Sequence, residues 1–90
     1  MVTGKTRTGF TFEVDGDMMK NAEFLETFFA VQNGNGPAVF EMIRTTLGEA
    51  QKKALYDHIR NEKGMVPVDA LTNEVSDIFE ALAEAAETKN

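Results

Sequence analysis

The chain has 90 residues, 42% of them hydrophobic, no cysteine and a formal net charge of −6. That length suits one domain with a thin core, and the composition excludes full disorder, a disulfide framework and thiolate chemistry. Basic residues are scattered, with only Lys52 and Lys53 adjacent, so no stripe for phosphate-backbone binding exists and no nucleic-acid partner is expected. No apolar run approaches the roughly 20 residues that span a bilayer. The opening residues carry no apolar run behind their basic ones, so neither a membrane segment nor a signal peptide is expected.

Residues 1–9 are polar and read as a loose arm. Phe10, Phe12 and Val14 alternate with Thr11, Glu13 and Asp15, a period-two pattern that predicts an extended segment over 10–15. Such a strand must pair with a folded-back arm from residues 2–8 or with another copy of the chain. Asp15-Gly16-Asp17 breaks the alternation and offers an N-cap for a helix over about 17–32. Along it Met18, Ala22, Leu25 and Phe29 form one stripe, with Phe24, Phe28 and Val31 beside it. That is more apolar surface than one small core needs.

Asn33-Gly34-Asn35-Gly36 is a hairpin signal between strands, but its flanks are helical, so a glycine C-cap and a turn are expected. Pro37 suits the first position of a short helix over 37–46, with Val39, Phe40, Ile43 and Leu47 inward. Thr46 and Glu49 read as a capping box restarting the chain into a helix over 47–62. Its inner face is Ala50, Ala54, Leu55 and Ile59. Gly64 ends the connection, and Pro67 opens a helix over 67–86. There Val68, Leu71, Val75, Ile78, Leu82 and Ala85 repeat in alternating steps of three and four, widened by Phe79. The seam serves core packing or, alternatively, a partner helix. Asp69, Glu74, Asp77, Glu80, Glu84 and Glu87 read as a solvated face, or else as a match to a basic partner. The predicted fold class is all-α: a bundle of about four helices over 10–86, an N-terminal extended segment, and a tail at 87–90.

Candidate chemistry is sparse. Gly4-Lys5-Thr6 resembles the end of a phosphate-binding loop, but the earlier glycine and preceding strand that the motif requires are missing. Residues 61–66 resemble part of a calcium loop. Placing Gly64 at the required glycine puts Ile59 and Ala70 where carboxylates must stand, which rejects the site. His58, the single histidine, has Asp57 and Glu62 nearby, short of the four ligands of a structural zinc site. Ser76, the single serine, has no base at a suggestive spacing. No enzyme activity, cofactor or metal is expected. Methionine is over-used at surfaces that accept varied partners, and Met18 and Met19 with Phe24, Phe28 and Phe29 read as a sticky groove. Phe40 and Phe79 are added as partner-binding candidates.

The run FTFEVDGDMMKNAEFLETFFAVQNGNGPAVFEMI, followed by TLGEAQKKALYDHIRNEKGMVPVDALTNEVSDIFEAL, resembles the tail assembly chaperones of long-tailed bacteriophages and prophages. The likeness covers roughly residues 10–82 and rests on the order and spacing of EFLE, LGEAQKKALYDHIR, EKGMVPV and the Asp77–Glu80 segment. The resemblance implies a small, acidic, helical protein made in the host bacterial cytoplasm and absent from the finished virion. It implies binding to the tape measure protein, and in many phages a frameshifted longer form that recruits the tail tube protein. No motif of the family is firm enough to carry roles over residue by residue. Binding along a rod-like client also favours contacts between copies, as a homo-oligomer or an open head-to-tail array. The alternative reading is a small adaptor that binds a host factor.

Overall fold

The computed structural model describes residues 1–87; the end of the predicted tail lies outside them. Two strands, β1 (Val2–Lys5) and β2 (Thr11–Val14), are followed by a single 3-10 turn at Met18–Lys20. Three helices complete the chain: α1 (Ala22–Gln32), α2 (Ala38–Ile59) and α3 (Val68–Glu87). The described chain is mostly helical with a short two-stranded sheet, and it has three helices where the periodicity predicted four.

The residues read as a loose arm form β1 and a tight turn. β1 folds back antiparallel on β2, with Val2 opposite Val14 and Gly4 opposite Phe12. The turn closes through Thr6 N–H to Phe10 O (2.8 Å) and Gly9 N–H to Thr6 O (2.9 Å), with Gly9 at φ 95°. The Thr6 hydroxyl accepts from the Phe10 N–H at 3.1 Å. Gly4 is required by packing: a Cβ there would lie 2.7 Å from the Phe12 ring. An isolated hairpin is marginal in water. This one is held because Phe10, Phe12 and Val14 enter the same core as Leu55, Leu71, Val75, Ile78 and Leu82.

The first predicted helix starts late. Asp15 Oδ1 accepts from the Asp17 N–H (2.8 Å), which stabilises a turn. The helix cap is Asn21, whose side chain accepts from the Glu23 N–H at 3.0 Å. At the other end Gly34 N–H bonds Val31 O and Asn35 N–H bonds Ala30 O, with Gly34 at φ 97°. This is the glycine C-cap expected from the sequence.

The predicted helices 37–46 and 47–62 are one element, α2, bent at Gly48 (φ 80°, ψ 165°). The expected capping box does not form. Thr46 is buried and its hydroxyl turns back to donate to Met42 O at 2.7 Å. Gln51 manages the bend: its Nε2 donates to Leu47 O (2.9 Å) and to Glu13 O (2.6 Å), while its Oε1 accepts from the Glu13 N–H (2.8 Å). One side chain thus closes both the helix break and the outer edge of β2. The bend also shifts the helix phase, so Ala50 and Ala54, predicted to face inward, are exposed, while Leu55 is fully buried.

In α3 the predicted seam is buried at Leu71, Val75, Ile78 and Leu82, whereas Val68, before the first full turn, is exposed. Glu74 was assigned to the solvated acidic face. It is 1% exposed. Its two carboxylate oxygens accept from the Thr6 and Thr8 hydroxyls, each at 2.8 Å. One turn on, Asp77 accepts from the Arg7 N–H (2.9 Å) and pairs with the Arg7 guanidinium (2.8 Å). Two carboxylates of α3 therefore hold the hairpin turn.

Two outcomes follow from this packing. Gly48→Ala adds a Cβ that meets nothing within 4 Å, so its penalty comes from the backbone alone. It should lower the unfolding free energy in urea by about 1–3 kcal/mol; an unchanged midpoint would mean that the bend relaxes. Side-chain and backbone hydrogen bonds from Arg7 hold the Asp77 carboxyl below its ordinary value. With the folded value below the unfolded one, the pair stabilises the fold at neutral pH, and that contribution is lost as pH falls below the ordinary carboxylate range. Asp77→Asn should flatten the acid limb of a melting-temperature-against-pH curve, and an unaltered slope would show the pair to be thermodynamically silent.

Candidate functional site

Apolar surface left uncovered by this fold gathers between α1 and α3. Met19, Phe24 and Phe28 form one wall; Phe79 and Ala83 form the other, with Ser76 and Glu80 as its polar members. The enclosed space is about 310 Å³. Its floor is an aromatic cluster. Phe24 meets Phe79 edge-on with ring centres 5.6 Å apart, stacks on Phe28 at 6.1 Å, and Phe28 lies 6.4 Å from Phe79. Aromatic pairs at these separations add about 0.5–1.5 kcal/mol each beyond area burial, so the floor is a fixed surface.

Phe29 stands beside the groove, 55% exposed and edge-on to Phe28 at 5.6 Å. Of the seven predicted binding residues, Met19, Phe24, Phe28 and Phe79 line this groove and Phe29 adjoins it. Met18 is half-buried against the core, its sulfur 3.7 Å from the Asn21 amide. Phe40 is 42% exposed on α2 and is not among the groove residues. Phe24 serves as a buried floor, not as a contact surface.

Electrostatics around the groove are acidic. Glu80 borders it on one side and adds to the field that, with Asp77 foremost, raises the Arg7 pKa on the other. On the far side of α1, Glu23 and Glu26 share a shallow polar depression with Glu41 and Arg44, which are themselves paired.

Residues with chemical potential meet elsewhere, at the hairpin turn. Thr8 Oγ1 lies 2.9 Å from His58 Nε2 and donates to Glu74. With that proton committed, His58 Nε2 donates to Thr8, which is the wrong polarity for a general base acting on this hydroxyl. His58 also packs against Phe10, ring centres 5.6 Å apart. The cluster reads as a fastening for the hairpin. Among the described residues no group of three or more His, Asp or Glu is placed to hold a metal, and no helix is long and apolar enough to cross a membrane.

Sequence reasoning missed Glu74, Thr6, Thr8 and Gln51. A signal for Glu74 was available, because it stands three residues after Leu71 and four before Ile78, on the buried stripe itself. Nothing local marked Gln51, whose partner Glu13 is 38 residues away. No family model, curated protein or solved structure matches the chain, so its site is argued from its own geometry.

The aromatics separate by role. Phe24→Ala, emptying a position 1% exposed, should cost about 3–5 kcal/mol in urea unfolding. Phe29→Ala should cost under about 1 kcal/mol. Equal losses would mean that Phe29 is structural and the groove narrower than drawn.

Proposed function

We propose that the chain is a non-enzymatic tail assembly chaperone of a long-tailed bacteriophage or prophage, which shelters the tape measure protein in the host bacterial cytoplasm. One observation carries the reading: a chain of this size leaves a preformed aromatic groove open between α1 and α3. Monomeric proteins seldom leave such surface without a use. The groove takes one apolar stripe of a helix, side chains entering between Phe28 and Phe79 as in other helix-in-groove recognition. A long client exposes many such stripes and aggregates through them. Contacts of micromolar strength, about 8 kcal/mol each, would cover them and still release as tube subunits arrive.

The resemblance over residues 10–82 supplies the biological setting. The same resemblance extends to the longer frameshifted form, which would bring the tail tube protein to a client already covered, and to absence from the finished virion.

Co-expression with the tape measure protein encoded beside it tests this reading. The client should become soluble and co-purify with the chain. Ala83→Glu, on the exposed α3 wall, should reduce recovery several-fold without altering the melting temperature. A client equally insoluble with and without the chain would overturn the proposal, and a single saturable host protein in its place would support the adaptor reading.

A further inference from the structure

Besides the groove, a second feature leaves apolar side chains in water: the α2–α3 connection, where Met65 is 63% and Val68 66% exposed. Exposure here does not come from looseness. Asn61 braces the loop, its Oδ1 accepting from the Lys63 N–H (2.9 Å) and the Met65 N–H (3.0 Å). Its own N–H donates to Met65 O (2.8 Å), and its O accepts from the Gly64 N–H (3.0 Å). Arg60 Nη1 adds a bond to Gly64 O (2.9 Å). Gly64 at φ 82° allows the turn. A polar scaffold therefore presents a fixed apolar knob, with exposed Lys63 two residues before Met65. A preorganised protrusion loses little entropy on docking.

The groove is the complement of this knob. It is apolar, bordered by Glu80, and lies further along the same rigid helix. From Val68 to Phe79 is eleven residues, about 16 Å at 1.5 Å per residue, so a chain's own knob cannot reach its own groove. We infer that the Met65–Val68 knob of one copy docks in the Met19–Phe28–Phe79 groove of a second copy, with Lys63 of the first facing Glu80 of the second. The two surfaces differ, so the contact is heterologous and repeats head to tail. Its small size puts it at the weak end of protein interfaces, under about 1,200 Å² in total, and association shows at high protein concentration. If the groove is also the client site, copies occupy one another's grooves until client displaces them. That competitive part rests on the proposed function, whereas the self-association does not.

Sedimentation of the full chain tests it. Weight-average mass should rise with concentration for the wild type. Met65→Glu, on the exposed loop, and Ala83→Arg, on the exposed groove wall, should each remain monomeric with unchanged circular dichroism. Mixed in equal amounts they should form dimers and nothing larger, because the pair retains one working knob and one working groove. A monomeric wild type at every concentration, unaltered association of Met65→Glu, or a mixture that stays monomeric would each overturn the inference. An apolar helical segment of the tape measure protein should return wild-type assemblies to single copies. Dimerisation of the mixture without any binding of that segment would uphold the self-association and count against the chaperone reading. Binding of the segment without self-association would do the reverse.

Discussion

A buried carboxylate organises this molecule. Glu74 lies in the middle of an otherwise apolar stripe of α3, where an unpartnered charge would cost several kcal/mol. Both of its oxygens are used, one by Thr6 and one by Thr8, and the Thr8 hydroxyl in turn meets His58 on α2. A single acid thereby ties the hairpin turn to two helices. The Arg7–Asp77 pair repeats the attachment one turn along α3, and Gln51 fastens the opposite strand edge to α2. These contacts fix which face of the helix pair the hairpin covers.

The consequence appears on the other face. With the hairpin burying Phe10, Phe12 and Val14 against α2 and α3, α1 is left to cover what remains of α3 and covers it only in part. Phe24 is the residue that completes the seal; Phe28, Phe29, Met19 and Phe79 are left half-covered or exposed beside it. A longer α1 would have closed the gap. It is shortened instead by the 3-10 turn at Met18–Lys20 and the Asn21 cap. The proposed docking surface is thus a by-product of where one helix begins, and it is rigid because an aromatic cluster forms its floor.

The parts visible in the sequence are those set by local rules. Alternation marked β2, three-four spacing marked the α3 core, and Gly34 marked the end of α1. The crowd of phenylalanines before it marked surplus apolar surface. The parts that escaped are set by contacts distant along the chain. Thr46 and Glu49 have the spacing of a capping box, yet burial sends the Thr46 hydroxyl back to Met42 O, and Gly48 bends the chain without ending the element. Residues 2–8 carry weak strand signals; they are ordered by partners at 10–14, 74 and 77. Glu74 was misread because charge suggested solvent more strongly than its position on the stripe suggested burial. Phe40 fitted the binding set by composition alone and lies on another element.

What the groove does is decided most directly by nuclear magnetic resonance of the full chain, titrated with an apolar helical segment of the tape measure protein. Shifts concentrated at Met19, Phe28, Phe79 and Ala83, with the Thr6–Phe10 turn unmoved, are the result expected of a preformed docking surface. No shifts at saturating peptide, or shifts centred on Phe40 and the opposite face, would contradict it.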